Sequence, residues 1–287
     1  MKRILLALTL ALTLVLSACG LPAPEVIPSP IPETVDLTSM PEFSGEAFVE
    51  LNGNVPFFTK EEITTEAFET YSELDLMGRC GVTVACIGTE LMPTEERGSI
   101  GQVKPSGWQT VKFDVVDGKY LYNRCHLIGF QLTGENANEK NLITGTRFLN
   151  VEGMLPFENM VADYLKETGN HVMYRVTPVF RSTEKVARGV VMEALSVEDG
   201  GEGISFCVYC YNSQPGVEID YFDGTAQLSE ETPSQGEVRF ILNTSSKKIH
   251  KPTCDNAGKM SDKNRKETSA SLSSLLSQGY TQAGCCF

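Results

Sequence analysis

The segment Tyr122-Asn123-Arg124-Cys125-His126-Leu127-Ile128-Gly129 carries an imidazole at the end of a strand-like run. Asn141, Asn150 and Glu158 follow it, and Arg97 lies roughly thirty residues before the histidine. An imidazole with an ordinary pKa near 6.5 can take a proton from water at neutral pH at modest cost. Amide and carboxylate oxygens suit a hard divalent cation. A guanidinium fork neutralises an oxyanion. A second group of chemistry-bearing residues, His250, Cys254, Cys285 and Cys286, lies near the C-terminus.

Several elements must position these residues. Thr110 to Val115 alternates and ends at Val116-Asp117-Gly118, a hairpin signal whose return strand would be residues 119–122. Phe157, Met160, Val161, Tyr164 and Leu165 repeat at helical spacing, with Pro156 in the first turn and Gly169 closing the run. Alternating runs follow at residues 172–180, 190–197 and 204–211. The fold class read from this order is α+β, with an antiparallel sheet. Domain boundaries are read as a signal segment 1–19, a Pro-rich tether 20–42, a main domain 43–217, a polar linker 218–236 and a small C-terminal module 237–287.

The segment from Tyr122 to Gly129 resembles the Asp-Arg-Gly-His signature of the DNA/RNA non-specific endonucleases, the ββα-metal nucleases. The stretch from Asn141 to Asn150 resembles that family's second motif, two Asn nine positions apart, and Glu158 matches a carboxylate the family places on a helix. The resemblance implies a ββα-metal core and hydrolysis of phosphodiesters in DNA, and in RNA, with Mg²⁺ or Mn²⁺. It makes His126 the general base, Asn150 the metal ligand and Glu158 an orienter of water. Asn141 would support the histidine or the waters around the metal. Arg97 is the first candidate for neutralising the scissile phosphate, with Arg124 and Arg147 in reserve. Two positions depart from the pattern: Asn123 stands for the usual Asp and Cys125 for the usual Gly. They leave open a second reading, a nuclease-like protein that binds DNA without cutting it.

The C-terminal stretch from Phe240 resembles the metal-binding domain of the Ada type: a strand, His250-x-x-x-Cys254, a helical segment and Gly279-Tyr280. The family's final Cys-x-x-Cys is broken, because its first position is Ala283. His250, Cys254, Cys285 and Cys286 therefore stand as a Zn²⁺ set, with a disulfide from Cys254 to Cys285 or Cys286 as the alternative. Nine cysteines in all leave disulfides or buried thiols open for the remainder, including Cys80, Cys86 and the Cys207-x-x-Cys210 pair.

The basic start, the apolar run over residues 4–16 and Leu16-Ser17-Ala18-Cys19 resemble a bacterial lipoprotein signal, with Cys19 the lipidated residue. This implies export and a membrane anchor at the outer face of the cytoplasmic membrane, or secretion. The net charge of −13 argues against a nucleic-acid partner, but it is uneven. From Glu237 onward eight basic residues face four acidic ones. A metal and local basic side chains can hold a phosphate within an acidic protein, because fields are screened beyond about 8–10 Å.

Overall fold

The computed structural model describes residues 35–229, 240–268, 270, 275 and 279–286. The signal segment with Cys19, the first part of the expected tether and residues 230–236 of the expected linker lie outside these. Among the described residues no helix is long and apolar enough to cross a membrane.

Six strands build the main antiparallel sheet: β1 (Phe48–Glu50), β2 (Phe68–Tyr71), β3 (Thr83–Ile87), β6 (Val172–Val179), β7 (Gly189–Ser196) and β8 (Ser205–Tyr211), in the order β1-β8-β7-β6-β3-β2. A separate ribbon pairs β4 (Tyr122–His126) with β5 (Leu142–Thr146), matching His126 to Leu142 and Cys125 to Ile143. Between them lies the one-turn helix α1 (Phe130–Thr133). After β5 a π-helical turn (Leu149–Met154) runs into α2 (Leu155–Thr168). Pro156 sits in the first turn of α2, where a missing N–H costs nothing, and Gly169 ends it at φ 70°. The helix and the three long strands match the sequence periodicity, and the α+β class stands.

Alternation along the strands sorts the side chains onto two buried faces. Tyr174, Val176, Val190, Met192, Phe206, Val208 and Cys210 pack on Phe157, Val161, Ala162 and Leu165 of α2. Val179, Val191, Cys207, Tyr209 and Tyr211 face the other way and are covered by Val35, Met40, Phe43, Val49, Leu51 and Phe57. Cys207 and Cys210 thus lie on opposite faces and cannot pair. None of the eight cysteines from Cys80 to Cys286 forms a disulfide in this structure.

The second face also buries an ion pair. Glu193 and Arg175 are register partners, and Arg175 Nε donates to Glu193 Oε2 at 2.8 Å. The Glu193 side chain is 4% exposed and accepts a further bond from the Phe57 N–H. Removing Glu193 leaves Arg175 with only the more exposed Glu62 carboxylate, at 3.0 Å, and leaves the Phe57 N–H without this acceptor. Glu193→Ala is therefore expected to lower the unfolding free energy by about 3 kcal/mol, read from urea midpoints, with Glu193→Gln closer to the parent.

Three expectations are corrected. The hairpin over residues 110–122 is reduced to one bridge, Lys112 with Tyr120, around a turn at Gly118 (φ 70°). Its apolar residues Val111, Phe113 and Val116 collapse onto Trp108, Leu121 and Tyr122, and β4 takes β5 as its partner instead. The tether does not run to residue 42: from Val35 the chain packs on the sheet, because Val35, Met40 and Phe43 cover its apolar face. The linker does not begin at 218. Strands β9 (Val217–Ile219) and β10 (Ala226–Leu228) form a hairpin whose Ile219 and Ala226 join the Trp108 cluster. Tyr122 Oη donates to the Gly224 carbonyl at 3.0 Å, tying that hairpin to β4.

In the C-terminal region β11 (Phe240–Asn243), β12 (Lys248–His250), β13 (Arg265–Thr268) and β14 (Thr281–Gln282) form a sheet ordered β13-β11-β12-β14, with the short helix α3 (Asp255–Gly258) after β12. Its apolar contacts centre on Leu242, Ile249, Leu275 and Tyr280. The helical segment expected before Gly279 lies almost wholly outside the described residues.

Candidate active site

His126 closes β4 and is 5% exposed. Its Nε2 lies 2.7 Å from the carbonyl oxygen of Asn136. A carbonyl only accepts, so Nε2 carries the proton and Nδ1 keeps a lone pair. Arg97 Nη2 donates to that lone pair at 3.3 Å. Burial pushes the His126 pKa down to about 4; the Asn136 carbonyl opposes this and the Arg97 charge adds to it. The ring is therefore neutral across the physiological range, with its basic nitrogen beside a guanidinium.

Glu158 stands on the first turn of α2, with its carboxyl group over Gly129. A Cβ at Gly129 would lie 2.7 Å from Glu158 Oε2, so the glycine is needed for this close approach. Burial raises the Glu158 pKa to about 7, and Arg97 partly offsets the rise. Asn150 projects from the π-helical turn, a wide turn often found at functional sites, and its Oδ1 accepts from the Cys125 thiol at 3.0 Å. Arg97, His126, Gly129, Asn150 and Glu158 line one cleft of about 720 Å³ that continues past Asn123 and Arg124 to Trp108 and Tyr120.

This arrangement coincides with a match of residues 59–198 to the family model described as DNA/RNA non-specific endonuclease. Over those residues, just under half of the chain, it is similar to the DNA/RNA non-specific endonuclease family. A "Deoxyribonuclease" of Streptococcus dysgalactiae subsp. equisimilis is 34% identical over 110 residues, which are 37% of this chain and 32% of the relative. The match thus spans about a third of that protein's length. The structure of NucA from Streptococcus agalactiae with magnesium ion bound superposes with a TM-score of 0.57 at 23% identity, covering 64% of this chain and 89% of NucA. The Sda1 nuclease with bound zinc ion gives 0.53 at 25% identity, covering 64% and 97%. Both share the fold described above.

Within this region four of the expected site residues, His126, Arg97, Glu158 and Asn150, meet in the cleft. Asn141 does not. It is fully buried, its Oδ1 accepts from the Ile128 N–H at 2.8 Å and its Nδ2 donates to the Ile128 carbonyl at 3.0 Å. With both amide atoms engaged it clamps the turn after His126 and supports neither the ring nor the waters directly. Of the reserve arginines, Arg124 donates to the carbonyls of Gly101 and Val103 and lies 4.0 Å over the Trp108 ring. Arg147 pairs with Asp117 at 3.0 Å. Both line the cleft, but Arg97 alone among the three bonds to His126.

The donor set suits a hard divalent cation: the Asn150 amide oxygen and the Glu158 carboxylate share the cleft. Sequence reasoning missed Asn136, whose contribution is a backbone carbonyl and leaves no trace in residue type. Gly129 was legible in principle, as a glycine three residues beyond the histidine where the chain must pass under a carboxylate.

The second cluster is also assembled. His250 Nδ1 lies 3.5 Å from Cys254 Sγ, 3.6 Å from Cys285 Sγ and 3.9 Å from Cys286 Sγ. Cys254 and Cys285 are 3.4 Å apart, and Cys285 and Cys286 4.0 Å. The hydrogen bond to His250, ahead of those to the neighbouring thiols, pulls the Cys254 pKa down to about 6. Metal–ligand distances of about 2.3 Å to sulfur and 2.0–2.1 Å to nitrogen would separate the donors of a zinc tetrahedron by roughly 3.5–3.8 Å.

Proposed function

We propose that this chain is an exported, metal-dependent endonuclease that hydrolyses phosphodiester bonds of DNA, and of RNA, with little sequence preference. The observation that carries the reading is the His126 tautomer: Nε2 is committed to the Asn136 carbonyl, and Nδ1 opens on the cleft that holds Arg97, Asn150 and Glu158. His126 Nδ1 takes a proton from the attacking water, and the bond from Nε2 to Asn136 strengthens as the ring becomes positive. Arg97 then has a phosphate oxygen to neutralise in place of the imidazole lone pair. Glu158, ionised above about pH 7, orients water in the cleft. Asn150 would hold a Mg²⁺ or Mn²⁺, which when bound would supply charge neutralisation for the phosphate and the leaving 3′ oxygen.

The test is supercoiled-plasmid cleavage by the chain from Gly20, with Mg²⁺ and with EDTA. Nicking that requires the cation supports the reading. A folded protein that binds DNA but never nicks it would favour the DNA-binding alternative and make Asn123 and Cys125 marks of a lost activity.

Gly129→Ala probes the same site without removing any of its functional groups. The added methyl meets the end of the Glu158 side chain, which can move, so the fold is expected to survive. Displacing the carboxylate should lower kcat by up to about a hundredfold, with the thermal midpoint little changed.

In the C-terminal region His250, Cys254, Cys285 and Cys286 are assigned a structural Zn²⁺. The surplus of lysines there suits an accessory contact with nucleic acid or an anionic envelope. Lipidation at Cys19 would hold the enzyme at the outer face of the cytoplasmic membrane. Palmitate labelling that disappears in Cys19→Ala tests the anchor.

A further inference from the structure

The residue that departs most from the family pattern has a specific partner. Cys125 is 1% exposed, and its Sγ lies 3.0 Å from Asn150 Oδ1 and 3.6 Å from Met154 Sδ. An amide oxygen only accepts, so the Cys125 thiol is the S–H donor of this contact. The opposing ribbon strand has made room for it. A Cβ at Gly145 would come within 2.6 Å of Cys125 Cβ and 3.1 Å of its sulfur.

An asparagine side chain presents an oxygen at one end and an N–H₂ group at the other, and only the oxygen can ligate a cation. Asn150 sits on the π-helical turn, and the Cys125 thiol is the bond that fixes its oxygen. A carbonyl oxygen has two lone pairs, so one can accept the thiol while the other remains for a cation.

We infer that Cys125 is a positioning residue: its thiol orients the Asn150 amide so that Oδ1 is presented to a divalent cation. The inference rests on the reading of Asn150 as the cation's ligand, and its action passes wholly through that side chain. Groups that orient metal ligands from outside typically change metal affinity about 10–100-fold when removed.

The experiment titrates the zinc-loaded full-length chain with Mn²⁺ alone, without nucleic acid, following the loss of the free-ion electron paramagnetic resonance signal. Parent, Cys125→Ala, Cys125→Ser and Asn150→Ala are compared, with thermal unfolding as the check on folding. Cys125→Ala is expected to weaken Mn²⁺ about tenfold, while Cys125→Ser, which keeps a donor, stays within about twofold of the parent. In plasmid cleavage at saturating cation, KM for DNA should not move. Equal affinities for parent and Cys125→Ala overturn the inference, as does equal weakening by Ala and Ser, which would mark a packing effect. If Asn150→Ala abolishes Mn²⁺ binding in either case, the reading of the cleft survives and only the role of Cys125 falls. If Asn150→Ala leaves the affinity unchanged, the reading of the cation ligand itself fails.

Discussion

His126→Ala should lower kcat for plasmid cleavage by about a thousandfold, within the range of 10²–10⁴ that positioned acid–base groups supply. That corresponds to about 4 kcal/mol of transition-state stabilisation. The pH profile makes the prediction sharper, because the base is not the group that titrates near neutrality. A histidine at its ordinary value would lose its base form below about pH 6.5. Burial holds His126 down to about 4, so the ring remains a base throughout the range of a normal assay.

The acid limb belongs to Glu158. Burial raises its carboxyl to about 7, so the carboxylate that orients water is lost as pH falls through 7, not through the usual carboxylate range. Activity should therefore fall about tenfold per unit below neutrality at low Mg²⁺. Raising Mg²⁺ should move the limb to lower pH, because a nearby cation favours the ionised carboxylate. Glu158→Gln should be slower at pH 8 yet nearly flat from pH 6 to 8. A limb that stays in place in Glu158→Gln assigns the titration elsewhere and removes Glu158 from the mechanism.

The contrast between what the sequence carried and what it did not follows from the physics of each element. Helix α2 and strands β6 to β8 were legible because burial on defined faces writes a period into residue type, as in Phe157, Val161 and Leu165. His126, Arg97, Asn150 and Glu158 were legible because their spacing resembled a family and their chemistry is carried by side chains. The failures share a cause. The hairpin at 110–122 alternates correctly but lacks a sheet to join, and its apolar residues form a local cluster instead. Asn141 has the right spacing, yet only tertiary structure reveals that Ile128 takes both ends of its amide. The polar run from residue 218 looked like a linker because its anchors are few: Ile219, Ala226 and the Tyr221 hydroxyl donating to the Asn212 carbonyl at 2.7 Å.

Zinc removal should have the largest effect on stability. The C-terminal apolar clusters are small, centred on Leu242, Ile249, Leu275 and Tyr280 and on Ile241, Cys254 and Ala257. Regions with such limited cores usually need a metal or disulfides to fold. The donor atoms of His250, Cys254, Cys285 and Cys286 all lie within 4.8 Å of one another, five of the six pairs at 3.4–4.0 Å, which suits one metal ion and exceeds an S–S bond of about 2.05 Å. Structural zinc in small domains contributes about 10–16 kcal/mol of apparent binding free energy at neutral pH, and this is folding free energy for the elements it joins. The purified protein should therefore carry one zinc per chain, absent in Cys254→Ser. Chelation should expose the stretch from residue 240 onward to proteolysis while the nuclease domain keeps its own unfolding transition and its Mg²⁺-supported cleavage. Denatured with chelator and no reductant, the chain from Gly20 should show all eight thiols from Cys80 to Cys286. A count of six, without bound zinc, would instead mean that Cys254 had closed a disulfide with Cys285 or Cys286 and that the cluster is a covalent staple.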